Sequence, residues 1–191
     1  QVHPDDDDAR RLGEPDVGKT EMWHVLHAAS GANLICGIKP GIDCEAFEAA
    51  IRAKESHLHL ERFDAPAGTN VFVPAGTVHA IGGGLLIAEI QQNSDITYRV
   101  YDWDRVDAAG RARDLHIERA LEVTRFEGTR GPHPPRPHAR NGHAVEVLAT
   151  CKYFAAERIA ATDAYTVTPN GESFHIVLAS EGTTHLRAGG E

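Results

Sequence analysis

The chain has 191 residues, with 19 Lys and Arg against 28 Asp and Glu for a formal charge of -9, and is 41% hydrophobic and 25% charged. Such a composition is that of a folded globular protein, neither disordered nor fibrous, and the acidic balance argues against nucleic acid, whose binding rests on neutralising phosphates with Lys and Arg. A phosphorylated small molecule stays compatible, because a few local cations outweigh a global charge that salt screens beyond about 8 to 10 Å.

No uninterrupted apolar run reaches the roughly 18 to 20 residues that span a bilayer, so no membrane partner is expected and the sequence reads as cytoplasmic. Cys36, Cys44 and Cys151 form no C-x-x-C pair and are odd in number. They predict buried reduced thiols, neither a disulfide framework nor a thiolate metal site.

In chain order, QVHPDDDD reads as the end of a strand followed by a turn, and a long polar loop then leads to strand-like runs at MWHVLHA (22–28), ANLICGI (32–38), HLHLERF (57–63), NVFVPA (70–75), LLIAEI (85–90) and ITYRVYD (96–102). Glycine and proline punctuate the gaps. Helices are expected at 43–54, with Asp43 as N-cap, and at 115–124, with Leu115, Ala120 and Leu121 on the apolar face. Many short strands at fairly regular spacing predict a sandwich or barrel.

The stretch 127–142, rich in proline and glycine, reads as a linker in which His133, His138 and His143 are solvated. Beyond it AVEVLA, YFAAERI, YTVT and SFHIVLAS again look like strands, so the expected division is a first domain at 1–126 and part of a second, smaller β domain at 143–191. With no initiator methionine and an alternating pattern still running at the end, the chain is expected to be a segment of a longer protein that lacks the strands before its first domain's opening residues.

Residues 68–79 read GTNVFVPAGTVH. Pro74 fixes φ near -65° and Gly76 permits a tight reversal, so the strand turns and re-enters with a set direction for His79. The spacing G-x5-P-x-G-x2-H resembles the second motif of the cupins, double-stranded β-helix jelly rolls that hold a metal inside the barrel. The resemblance implies an all-β cupin fold with a few short helices and part of a second cupin-like domain. It also implies further ligands from an H-x-H pair and a glutamate. Here the pair is Gln1 and His3, two apart and therefore on one face of a strand, and the glutamate is Glu21, displaced by an inserted loop. Two histidines and a carboxylate suit Zn or Fe, and the Gln1 amide oxygen fills a fourth position.

QVHPDD, GKTEMW, VPAGTVHAIGGG and EIQQNSDITYRVYDWDR, in that order, resemble the signature segments of the type I mannose-6-phosphate isomerase family, the zinc-dependent cupin enzymes, in their short bacterial form. The match runs from residue 1 to about residue 126. It implies reversible interconversion of mannose 6-phosphate and fructose 6-phosphate through a metal-stabilised enediol, with one Zn2+ held by Gln1, His3, Glu21 and His79. Lys19, two residues before Glu21, shares its face on an extended segment and is placed to stabilise charge or relay a proton. Glu89 lies inside an apolar strand, where desolvation raises a carboxylate towards useful base strength. The resemblance puts Glu89, Asp95 and Arg99 in the active site, with Arg105 a further phosphate candidate. The alternative is a non-catalytic sugar-binding or regulatory cupin, which needs no base.

Overall fold

Strand alternation resolves into two facing antiparallel sheets in the computed structural model, which describes residues 1–127, 131–169, 171–187 and 189. β1 (Glu21–Ala28), β4 (Asn70–Val73) and β6 (Leu85–Gln91) form one sheet in the order β4-β1-β6. β2 (Asn33–Ile38), β3 (Leu60–Asp64) and β5 (His79–Ile81) form the other in the order β3-β2-β5. Because side chains alternate faces, Trp23, Val25, Val71 and Val73 of the first sheet meet Leu34 and Cys36 of the second in one buried cluster. The outer face of the second sheet carries Ile35 and Ile38, covered by Phe47 and Ile51 of α2 (Cys44–Arg52) and by Ala120 and Val123 of α3 (Ile117–Val123).

Both expected helices form. Asp43 caps α2 by accepting from the Ala46 N–H at 2.9 Å, and Phe47, Ala50 and Ile51 make the buried stripe. Leu115, expected on the apolar face of α3, is instead exposed ahead of its first turn. The polar loop holds a helix of its own, α1 (Asp6–Arg11), capped by Asp5, whose Oδ1 accepts from Asp7 N at 3.0 Å and Asp8 N at 2.7 Å. Alternating hydrophobicity is absent there, so the local capping chemistry of consecutive aspartates is what starts the helix.

Two strand expectations are corrected. In HLHLERF, residues Ser56–His59 form a 3₁₀ turn and only Leu60 onward is strand; Leu58 is 55% exposed, so the apparent alternation had no core to face. ITYRVYD is extended, with Ile96, Tyr98 and Val100 buried, but it makes a single bridge, Val2 to Tyr98. Its partner is only three residues long and ends at Pro4, which has no N–H to donate.

The linker reading is corrected as well. β7 (Arg136–Arg140) runs through it and pairs with β8 (His143–Thr150), which pairs with β9 (Ala155–Ala160). Asn141 and Gly142, with φ of 54° and 81°, make the two-residue hairpin turn, and Pro137 is tolerated because β7 is an edge strand. His133 is not simply solvated: its Nε2 bonds to Leu148 O at 2.8 Å, and the His143 ring packs edge-on to Tyr165 at 5.2 Å. Residues 128–130 of the proposed linker, and 170, 188, 190 and 191 of the proposed second domain, lie outside the described residues. YTVT and SFHIVLAS carry no strand, and Phe174 and Ile176 are more than four-fifths exposed at 83% and 84%.

The third sheet packs on the outer face of the first, where Met22 meets Leu148 and Ala149. Of the cysteines only Cys36 is buried; Cys44 is exposed. Among the described residues, no helix is long and apolar enough to cross a membrane.

Candidate metal centre

The first three residues are strapped between two neighbours. On one side the main-chain nitrogen of Gln1 donates to His79 O at 3.1 Å and His79 N donates to Gln1 O at 2.9 Å. On the other, Val2 N donates to Tyr98 O at 2.9 Å and Tyr98 N to Val2 O at 3.0 Å. Val2 therefore points into the outer core, and Gln1 and His3 point to the opposite face. The turn that delivers His79 depends on Gly76, whose φ is +80° and whose Cβ, if present, would sit 2.8 Å from Val123 O. Its N–H donates to His3 O at 2.8 Å, tying the turn to the residue that shares the centre. Glu21 arrives from the first position of β1, opposite Val73 on one side and Gln91 on the other.

Donor atoms of His3, Glu21 and His79 all lie within 4.8 Å of one another, and all three residues are buried. His3 Nε2 is 3.2 Å from Glu21 Oε1, and His79 Nε2 is 3.5 Å from Glu21 Oε2. The Nδ1 of His3 is 2.7 Å from Ile96 O and that of His79 is 2.8 Å from Thr77 O. A carbonyl only accepts, so both Nδ1 atoms carry the proton and both Nε2 lone pairs face the carboxylate. Gln1 Nε2 lies 3.1 Å from His79 Nε2; turning the amide over places its oxygen there instead.

Electrostatics match that tautomer. Burial, the largest influence, pushes the His79 pKa down to about 3, so the ring is neutral. Burial alone would raise Glu21, but its polar neighbours His3 and His79 and the nearby Lys19 ammonium outweigh it and hold the carboxyl near 2. His3 Nε2 and Glu21 Oε1 are left buried without a hydrogen-bond partner. Two imidazoles whose Nδ1 atoms are committed to carbonyls, an ionised carboxylate and an amide, with buried acceptor atoms aimed at one point, fit a divalent cation.

The other expected residues divide into two groups. Lys19 Nζ is 3.4 Å from Glu21 Oε1, with the side chain 11% exposed. Glu89 is opposite Trp23 in the β1–β6 register and so shares the inner face with Glu21. It is an exposed residue, not one enclosed by Ile87 and Ile90 as the sequence implied, yet burial first and the charge of Glu21 second raise its pKa while Lys19 opposes them. Since Val2 pairs with Tyr98 in antiparallel register, Gln1 falls opposite Arg99, which places Arg99 on the inner side of its segment beside the centre. Its Nη1 donates to Asp114 O at 3.2 Å, and it lines a shallow recess of about 450 Å³ with Arg111, Arg113 and His116.

Asp95 and Arg105 stay outside the cluster. Asp95 is exposed, with its main-chain N–H 3.3 Å from Asp16 Oδ2. Arg105 bonds Asp102, and its guanidinium stands 5.9 Å from the Trp103 ring centroid. Three neighbours escaped the sequence reading. Trp23 packs edge-on against His79 at 5.3 Å, while Arg113 Nε reaches Asp102 Oδ2 at 2.7 Å. The parity of Trp23 with Glu21 would have revealed the first; nothing in the sequence marks Arg113 as the partner of Asp102.

Two facing antiparallel sheets enclosing a buried His3, Glu21 and His79 cluster that could hold a metal ion define a cupin. No protein-family model matches the chain. The mannose-6-phosphate isomerase ManA of Bacillus subtilis is 38% identical over 160 residues, covering 81% of this chain and 49% of the relative. The mannose-6-phosphate isomerase of Streptococcus mutans is 46% identical over 123 residues, covering 64% of this chain and 38% of the relative. The crystal structure of mannose 6-phosphate isomerase from Bacillus subtilis superposes with a TM-score of 0.75 at 33% identity, covering 83% of this chain and 50% of that one. The chain belongs to the mannose-6-phosphate isomerase family, and it spans about half the length of the curated relatives it matches.

Proposed function

We propose that the chain carries the catalytic centre of a mannose-6-phosphate isomerase, which interconverts mannose 6-phosphate and fructose 6-phosphate, with one zinc ion held by Gln1, His3, Glu21 and His79. The observation that carries the reading is the pair of imidazoles whose Nδ1 atoms are committed to carbonyls, leaving both Nε2 atoms beside the Glu21 carboxylate. The ion, when bound, supplies Lewis acidity at the sugar oxygens.

Converting the aldose to the ketose removes a proton from C2 and returns one to C1, while O2 loses a proton and O1 gains one. Glu89, on the face of Glu21 and with a raised pKa, is the carboxylate assigned to carry the carbon-bound proton. Lys19, beside Glu21, holds a proton close to the sugar oxygens. Arg99 offers a permanent positive charge to the oxygen that becomes negative. Arg105 is assigned to the phosphate and Asp95 to a hydroxyl at the outer end of the substrate. The same proposal includes a catalytic cupin at 1–126 and part of a second at 143–191, to which β7 of the expected linker is added because it pairs with β8. A cytoplasmic setting belongs to it too, in keeping with three cysteines that are thiols.

The test is to load the full chain with zinc, add mannose 6-phosphate and follow fructose 6-phosphate. Turnover is expected. A folded, zinc-bound sample that binds the sugar without converting it would instead identify a non-catalytic sugar-binding cupin.

A further inference from the structure

Between His3 and Glu21 the chain leaves the sheet, forms α1 and returns, and the return is held largely through one side chain. Asp6 Oδ1 accepts the main-chain N–H of Gly18 at 3.1 Å and Gln92 Nε2 at 3.0 Å. Its Oδ2 accepts the Tyr153 hydroxyl at 2.7 Å and Lys152 Nζ at 3.4 Å. Gln92, 8% exposed, grips the same segment with its other end: Oε1 accepts Thr20 N at 2.8 Å, and its own N–H donates to Thr20 O at 3.0 Å.

Lys19 N, between them, donates to Pro4 O at 2.9 Å. Three consecutive amides thus end on α1, on the residue before its cap, or on the amide that α1 holds. Gly18 lies so close to α1 that a Cβ there would come within 2.4 Å of Asp5 C, which only glycine allows. Asp5 caps the first turn through Oδ1 and reaches one distant residue, Arg125, through Oδ2 at 3.2 Å. Asp6 instead joins three segments distant in sequence.

We propose that Asp6 is a positioning residue for the metal centre: it fixes Gly18–Thr20 so that Lys19 and Glu21 reach His3 and His79, and it ties that segment to the Lys152–Tyr153 turn of the third sheet. The inference rests on the reading that His3, Glu21 and His79 hold a divalent ion. Glu21 has no slack of its own, because the residue before it is clamped on both its N–H and its C=O. Releasing the clamp therefore moves a ligand rather than a loop.

The experiment measures zinc affinity of the full chain by competition with a chromophoric chelator, together with amide hydrogen exchange at Gly18 and Thr20. Asp6→Ala is expected to weaken zinc about tenfold and to speed exchange at both amides, the size seen when a partner that orients a ligand is removed. Asp6→Asn keeps an oxygen towards Gly18 and Gln92 and is expected to remain within about threefold of the parent, whereas Asp7→Ala, an exposed neighbour paired with Arg10, changes nothing. Gln92→Ala, which frees the Thr20 N–H and removes one of the bonds to Asp6 while leaving every residue of α1 in place, is expected to weaken zinc like Asp6→Ala and decides the matter if Asp6→Ala does not fold. Unchanged zinc affinity in Asp6→Ala or, in that case, in Gln92→Ala would overturn the inference and leave the metal site standing. A parent chain that binds no zinc would overturn both.

Discussion

The rings of His3 and His79 face each other at 4.9 Å between centroids, tilted by 44°, and each donates from Nδ1 to a main-chain carbonyl. His3 comes from a three-residue strap and His79 from a separate strand, so their meeting is a product of the fold and not of local sequence. Two buried acceptor nitrogens aimed at a buried carboxylate are mutually unfavourable unless a cation joins them. That frustration is the physical signature of a ligand set.

Removing a ligand should empty the centre. Glu21→Gln and His79→Ala are each expected to weaken zinc by roughly a hundredfold or more, since loss of a direct donor exceeds the effect of losing an orienting partner. Metal content after dialysis against a weak chelator checks this. Retention of stoichiometric zinc by both variants would contradict it.

Arg99 should separate binding of the ion from turnover. Arg99→Ala is expected to keep zinc at the parent level and to lower kcat by about 10² to 10³, the usual cost of removing one charge-stabilising donor. Atomic absorption and an isomerase assay on the same sample make the comparison.

Asp102 should make the fold acid-sensitive. Its carboxyl, 6% exposed, is held near 2 by the Arg113 hydrogen bond first and the Arg105 bond after burial's opposing effect. The folded pKa lies below the ordinary 3.8, so the stabilisation is present above about pH 4 and is lost as pH falls from 4 towards 2. With Arg105 and Arg113 63% and 53% exposed, solvent screening reduces it to about 1 kcal/mol. Thermal midpoints measured across pH 2 to 6 should fall less steeply for Asp102→Asn than for the parent.

Gly76→Ala tests the turn that delivers His79. At a φ of +80°, with Val123 O only 2.8 Å from the new Cβ, the substitution is expected to destabilise by about 2 kcal/mol. A lower denaturation midpoint in urea, with zinc affinity reduced alongside, is the expected outcome.

Much of the site was legible because its elements obey short-range rules. The Pro74–Gly76 turn announces a directed His79, and parity two residues apart puts Gln1 with His3 and Lys19 with Glu21. What stayed hidden depends on partners far away in the chain. Glu89 looked enclosed because its sequence neighbours are apolar, but a strand's neighbours along the chain point to the other face; the residue across the sheet, Trp23, sets its surroundings. β7 was hidden by its prolines and charges, which an edge strand accepts, although Asn141-Gly142 marked the hairpin. The aspartate run read as loop because capping and cross-chain bonds, not periodicity, organise it. Asp6 could be recognised only once Gly18, Gln92 and Tyr153 were seen around it.

X-ray absorption on the zinc-loaded full chain reads out whether His3 and His79 hold the ion. Two imidazole nitrogens and oxygen donors at about 2.0 to 2.2 Å are expected, with one imidazole signal lost in His3→Ala and one in His79→Ala. Sulfur scattering, or a spectrum unaltered by either substitution, would show that the ion sits elsewhere and that these residues do not form its site.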